Sequence, residues 1–387
     1  MAARSSGPRL KRPGRARQVF FAVAVVVAVT VAGFGIAEYV DSVYGKPTLV
    51  IYAYPSLLNG TDCGSPAFAS VFGAFASAHG VRIEVDCPSG TLVGTLESQA
   101  SAPGADLVIG LDEITTPQAE ARGLLVPYAP PALADVAPGL ASELSADDGA
   151  VPYEYGYLGI DYTQSFLNST GGAIAHAAFP EIAHNASTWA AQLVTEDPTQ
   201  DITGEEFLAW QIEYYETVLH QNWTDFWSAV ANALPAPAPS WGTAFDYDFD
   251  SAPGHDQMVV SYSTDPAYAQ YYGTPDRPYN STLSWWNGTE YGWKTIYGIG
   301  IVHGSRHLAL DEEFENWFLG GAVQRLLPTL EWEYPANATV PLPPVFNAAP
   351  DPSSIVALNS RILPAALAAD MPGWSEEWQE ILSGEPP

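Results

Sequence analysis

The chain reads as an α/β protein with room for two domains, in which strands alternate with helices. Three observations predict this. The 387 residues are 47% hydrophobic and 12% aromatic, enough for more than one core. Short β-branched runs stand at 48–54, 81–85 and 105–110. Helical spacing fills the gaps between them, at Pro66–His79 (Phe68, Val71, Phe72, Phe75) and at 93–100. Such alternation implies a parallel sheet with covered faces, whose ligands sit beyond the carboxyl ends of the strands. That rule points at Tyr54 and Ser56 after the first strand and at the turn Gly110-Leu111-Asp112-Glu113 after the third.

The N-terminus has its own character. Six of the 14 lysines and arginines (Arg4, Arg9, Lys11, Arg12, Arg15, Arg17) lie in the first seventeen residues, and residues 18–37 follow without a charge. Twenty helical residues rise about 30 Å, the thickness of a bilayer's hydrocarbon core. Residues 1–17 therefore read as a basic cytoplasmic tail and 18–37 as one transmembrane helix, with everything beyond on the extracytoplasmic side of the cell membrane. A cleaved signal peptide is the competing reading. Gly35-Ile36-Ala37 is a passable cleavage site, but the apolar run exceeds the usual signal core of about 7 to 15 residues.

Past the tail, eight basic residues face all 44 acids, a net charge of −36. Such a surface repels phosphate backbones and argues against a nucleic-acid partner; it suits cationic ligands, or is simply a solvated surface. Asn-x-Ser/Thr sequons at Asn59, Asn168, Asn185, Asn222, Asn280, Asn287 and Asn337 agree with an outside location and with a glycoprotein. The two cysteines, Cys63 and Cys87, have no metal-ligand spacing and read as a disulfide, worth on the order of 3 kcal/mol by loop entropy, with two buried thiols as the alternative.

Residues 259–268 (VVSYSTDPAY) carry the strongest ligand signal. Two valines lead through small hydroxyls to Tyr262 and Tyr268 across an Asp-Pro turn, as in a buried strand running into an aromatic-walled polar mouth. Tyrosines offer a stacking face and a hydroxyl handle to a flat organic ligand; plain strand packing is the bland account.

The order of motifs then resembles a known family. Strand-Tyr-x-Tyr-x-Ser at 48–56 and strand-Gly-Leu-Asp at 105–112 are similar to the opening lobe of the periplasmic thiamine-binding proteins of ABC importers. The resemblance continues through Val-Pro-Tyr-Glu-Tyr-Gly-Tyr at 151–157, Glu196-Asp197-Pro198 leading to Thr203-Gly204 and a helix at 207–218, Trp241, the Ser-Tyr…Pro-Ala-Tyr stretch, and Glu-Trp-Glu-Tyr-Pro-Ala-Asn at 331–337. It spans roughly residues 48–346. It implies a two-lobed periplasmic-binding-protein-like (type II) fold with two crossing strands. Lobe one would comprise 48–151 and 299–387, with helices at 312–326 and 374–382 covering it. Lobe two would be 152–298, and the second crossing would lie at 291–302.

The resemblance also implies the function: a non-enzymatic solute-binding protein that closes over thiamine or its phosphates and hands the ligand to an ABC permease and its ATPase. Tyr54, Tyr262, Tyr268 and Trp332 match family pocket positions as aromatic walls, and Trp241 matches another. A cation over an aromatic face gains about 0.5 to 2 kcal/mol. Asp112 matches the family's acidic residue at the ligand and also stands where it would cap the next helix. Thr203 and Gly204 match the position that receives the ligand's tail at a helix start, where an ordinary Thr cap is the alternative. Asp201 departs from the family there and opposes a phosphate. A family tryptophan has no counterpart near 59–64.

Other readings stay open. Tyr271-Tyr272 suggests the iron(III)-binding relatives, which use neighbouring tyrosines, and an aromatic box with one carboxylate also suits a polyamine. His255, His303 and His307 have no metal-ligand spacing. Asp246, Asp248 and Asp250 would serve a surface-anchored carbohydrate-active enzyme, though an exposed acidic loop fits them equally. No Gly-x-Ser-x-Gly elbow, His-Glu-x-x-His pair or Gly-rich phosphate loop appears, and no cofactor is expected.

Overall fold

The computed structural model describes residues 45–60, 63–249, 256–273 and 279–384. The basic tail, the apolar segment 18–37, His255 and Asp250 lie outside the described residues. No described helix is long and apolar enough to cross a membrane. The described residues 45–48, together with 80–82, belong to a small unit of their own, in which Arg82 Nε and Nη2 donate to Thr48 Oγ1 at 3.1 and 3.0 Å.

The larger unit is built on three sheets. The first takes β1 (Thr48–Tyr52), β2 (Arg82–Asp86), β3 (Leu107–Leu111), β4 (Leu125–Val126), β5 (Val151–Tyr155), β12 (Ile296–Val302) and β13 (Tyr334–Pro335), in the order β13-β5-β12-β3-β1-β2, with β4 also on β12. The second holds β6 (Leu158–Thr163), β7 (Leu193–Val194), β8 (Met258–Tyr262) and β9 (Tyr279–Thr282), in the order β7-β8-β6-β9. A third, small sheet joins β10 (Ser284–Trp286), β11 (Thr289–Gly292) and β14 (Val356–Ala357). β3 and β6 are buried along their whole length, as apolar runs covered on both faces must be.

The expectation of a parallel sheet needs correction. β1 and β3 are parallel, as are β7 and β8, but β12 runs antiparallel to β3, β4 and β5. The cause is topological. The chain leaves the first sheet through β5, builds the second sheet, and returns through β12, which inserts between β5 and β3 in the opposite sense. The outgoing and returning connections also bond to each other, Gly156 N to Thr295 O at 2.9 Å and Leu158 N to Trp293 O at 3.0 Å.

Helices cover these sheets. α1 (Pro66–His79) has the predicted bounds, and α2 (Leu92–Ser98) is capped by Thr91 Oγ1 accepting from Gly94 N at 3.1 Å. α3 (Thr115–Ala121) follows β3. The helix expected at 207–218 is α4 (Ile202–Glu213), continued by a wide turn to Leu219 and ended by His220 at φ 55°. α5 (Thr224–Val230) lies beside it, and α6 (Asp265–Tyr272) follows β8 directly. The helix expected at 312–326 is α7 (Leu308–Phe318), broken where Gly320 turns extended.

Phe314 and Phe318 of α7 pack on Phe72 and Phe75 of α1 over the first sheet. The C-terminal helix, expected at 374–382 over the first lobe, is α8 (Pro364–Ser383); it meets α3 there but buries its large apolar residues elsewhere. Its Leu367, Met371 and Trp378 enter the core built on the second sheet, where Trp378 meets Trp227 of α5 edge-on at 5.9 Å. Cys63 and Cys87 are bonded, 24 residues apart.

Candidate ligand site

The ends of β1, β3 and β8 bring the first residues of the site together. Tyr54 follows β1, and its ring stacks on Tyr297 of β12, centroids 5.9 Å apart. Its hydroxyl donates to Glu331 Oε2 at 3.0 Å and lies 3.0 Å from the hydroxyl of Tyr153. Gly110 makes room for that ring: at φ 103°, a Cβ there would stand 2.3 Å from Tyr54 Cδ1. Ser56 lies half-buried in the turn after Tyr54.

Asp112 settles a question the sequence left open. Its Oδ1 accepts from Ile114 N, Thr115 N and Thr115 Oγ1 at 2.8, 2.6 and 2.8 Å, securing the entry to α3. Its Oδ2 is buried with no partner among the described residues. One oxygen caps; the other remains available.

From the second sheet, Tyr262 at the end of β8 places its hydroxyl 2.5 Å from that of Tyr297 and 3.4 Å from Thr203 Oγ1. Trp241 lies 6.2 Å from the Tyr262 ring and stacks on Phe245. Its indole donates to Ser261 Oγ at 2.9 Å, and Ser261 in turn donates to Asp265 at the start of α6. Thr203 and Gly204 stand in the first turn of α4, capped by Asp201, whose Oδ1 accepts from Thr203 N at 2.9 Å. Gly204 is required by a close approach, since a Cβ would meet the Asp197–Pro198 backbone at 2.8 Å.

A second aromatic group adjoins the first. Trp332 is buried at φ 62°, a backbone conformation that bulky residues rarely hold, and its Nε1 has no partner among the described residues. Tyr268 of α6 meets it edge-on at 5.4 Å, and Phe346 stacks behind it. Tyr271 and Tyr272, the residues of the iron reading, are exposed and pack on each other and on Trp332. The structure thus joins Tyr54, Thr203, Trp241 and Tyr262 through Tyr297, and Tyr268 through Trp332. Glu331 and Glu333, flanking Trp332, tie the two groups together by bonding to Tyr54 and Thr264.

Several residues here escaped the sequence reading. Glu206 of α4 and Glu333 are almost fully buried, each with one unpartnered oxygen. Glu333 Oε2 occupies the space that a Cβ on Gly156 would need. Burial pushes the carboxyls of Asp112, Glu206 and Glu333 above their ordinary range, and neighbouring carboxylates push Glu206 and Glu333 further; Glu331 rises to about 8 by burial. Burial likewise raises the phenols of Tyr54, Tyr262 and Tyr297, keeping them protonated donors. The Glu-Trp-Glu pattern was a usable signal. Glu205-Glu206 carries no such pattern, since acids in a first helical turn ordinarily complement the helix dipole.

Among the described residues no group of three His, Cys, Asp or Glu side chains is placed to hold a metal. Asp246 is exposed and Asp248 half-buried in an irregular turn. A pocket of about 270 Å³ beside α2 and a groove of about 730 Å³ beside β9 involve none of the site residues.

The architecture is that of the two-lobed periplasmic binding proteins. It aligns with a solved periplasmic thiamin binding protein at TM-score 0.72, with 23% identity, over 87% of this chain and 96% of the other. The ferric binding protein from Campylobacter jejuni aligns at TM-score 0.68, with 15% identity, over 86% and 99%.

By sequence the chain is similar to the thiamine-binding periplasmic protein of Escherichia coli (strain K12). They share 25% identity over 342 residues, 88% of this chain and 95% of the relative. The protein of the same name from Brucella suis biovar 1 (strain 1330) is 25% identical over 346 residues, 89% and 95% of the two chains. No family model matches the chain. The resemblance read from the ordered motifs therefore extends over most of the sequence.

Proposed function

We propose that the protein is an extracytoplasmic solute-binding protein of an ABC importer that captures thiamine between its two lobes and catalyses no reaction. One observation carries this reading: half-buried aromatic walls (Tyr54, Trp241, Tyr262, Tyr268, Tyr297) stand in front of fully buried carboxylates whose free oxygens have no protein cation. Burial acts most strongly on Asp112, Glu206 and Glu333; after it come backbone amides and the Thr115 hydroxyl at Asp112, and neighbouring carboxylates at Glu206 and Glu333, with no lysine or arginine among them. Thiamine fits that chemistry, with a flat aminopyrimidine for the walls and a permanent thiazolium cation for the carboxylates. Similarity to thiamine-binding proteins over 88% of the chain supports the same ligand.

In this reading Tyr54, Tyr262, Tyr268, Trp241 and Trp332 wall the ligand, Asp112 Oδ2 faces its cation, and Thr203 meets its hydroxyethyl tail. Gly110 and Gly204 shape the walls, and Ser56 borders the mouth. The lobes are 48–151 with the returning chain from 299, and 152–298, hinged at the paired connections, with α8 reaching from the first into the core of the second. Residues 18–37 tether the protein in the membrane beside its permease. Calorimetry of the purified chain against thiamine, with spermidine and ferric ion as controls, tests the ligand. Sub-micromolar thiamine binding, weakened by Trp332→Ala and Asp112→Ala, is expected; binding of a control alone overturns the assignment. Extraction of cell membranes at alkaline pH tests the tether, which predicts that the protein stays with the lipid.

A further inference from the structure

We infer that the site rejects phosphorylated ligands and takes a cation with an uncharged hydroxyl tail, a selectivity set by Asp201, Glu205 and Glu206. The inference rests on the thiamine reading and adds the form of the ligand. A phosphate on the tail would seek the first-turn amides of α4, the usual anion site of a helix start. Here the chain's own carboxylate already occupies that place. Asp201 Oδ1 accepts from Thr203 N at 2.9 Å, and its Oδ2 accepts from Trp241 N at 3.2 Å, bridging the helix to the aromatic wall.

The surroundings reinforce the exclusion. Glu205 is half-buried in the same turn, and Glu206 is fully buried with Oε1 unpartnered. Asp112 Oδ2 is equally buried and unpartnered across the site, and Glu196, also buried, leaves both carboxylate oxygens unpartnered next to Asp201. These oxygens can accept from an ammonium or hydroxyl, or lie against a thiazolium. As carboxylates, the form a bound cation favours, they offer nothing to phosphate oxygens, which are themselves acceptors. Glu206 Oε2 accepts from Thr295 Oγ1 at 2.9 Å while Oε1 stays free, and Asp112 lies near enough to act on Glu206 electrostatically.

The test uses the full chain and titrates thiamine, thiamine monophosphate and thiamine diphosphate by calorimetry, with inorganic phosphate followed by tryptophan fluorescence. Thiamine is expected to bind at least about tenfold more tightly than either phosphate, a difference of about 1.4 kcal/mol. Asp201→Ser, which keeps a cap while removing the charge, should narrow that gap; if it does not fold, Glu205→Gln leaves the cap intact and should narrow it in part. Phosphate esters binding as tightly as thiamine would overturn the selectivity and leave the function standing. If no thiamine form binds, the function falls and inorganic phosphate decides: saturable binding by the unmodified protein overturns the inference, whereas binding gained only in Asp201→Ser upholds it.

Discussion

The core on the second sheet and the site beside it are equally aromatic, yet they treat their polar atoms in opposite ways. In the core, Trp210 donates to Tyr291 O, Trp227 to Gln211 Oε1 and Tyr214 to Trp285 O, at 3.2, 2.8 and 2.8 Å. Among its aromatic residues only the indoles of Trp285 and Trp378, towards its edge, lack a partner among the described residues, although on the sheet itself Asp161 and Ser281 leave side-chain oxygens unpartnered. In and around the site, the free atoms belong to Asp112, Glu154, Glu196, Glu206, Glu333 and Trp332, and five of the six are carboxyl groups. Leaving a buried polar group unpaired costs roughly 1–3 kcal/mol, and more for a charge. The free carboxyl oxygens gathered beside the aromatic walls are the partners that the proposed cation would take up.

The contrast can be broken first where it is largest. Trp227→Ala removes a fully buried indole from the core and should cost about 3–5 kcal/mol, read as a large fall in melting temperature; a small shift would mean that the core is not the stabilising half. Gly110→Ala places a methyl against Tyr54 at positive φ and should cost about 1–3 kcal/mol while also weakening thiamine binding. Affinity unchanged in that variant would remove Tyr54 from the site.

Asp112→Asn sharpens the comparison on the site side. It keeps the oxygen that secures α3 but neutralises the one facing the ligand, so thiamine affinity should fall about ten- to a hundredfold, a loss of roughly 1.5–3 kcal/mol, with little change in melting temperature. A melting loss with unchanged affinity would instead make Asp112 a cap alone.

The smallest effect is a divergence with pH. Glu113, Glu205 and Glu331 ionise near 8 in the folded protein against 4.5 ordinarily, so the native state holds protons that the unfolded chain has released. Raising pH through that window should lower the stability of the ligand-free protein, with the full contribution present only below the ordinary value. A bound cation favours the ionised carboxylates, so thiamine affinity should rise over the same window. Melting curves with and without thiamine across pH check the sign, and parallel curves would contradict it.

What was readable beforehand followed local pattern. The spacing of Phe72 and Phe75 located α1 to the residue, and the resemblance placed the returning strand within 291–302, where β12 runs from Ile296 to Val302. The order of short motifs named the class. The direction of β12 was not readable, because it depends on where the chain re-enters a sheet begun some two hundred residues earlier. Nor was the role of Tyr297, one phenol among twenty tyrosines until folding stacks it between Tyr54 and Tyr262. Glu206 was hidden for a similar reason: its exposure is decided by what packs over α4, and α8, longer than its pattern showed, helps bury that helix's neighbours.

The bonded pair of connections between the sheets has a mechanical consequence. Two strands joined edge to edge bend readily across their flat face and resist shear and torsion. In the proposed two-lobed reading, the halves would move like a book on a cloth spine, along one opening angle. A permease that senses that angle would meet the same outline each time the covers close.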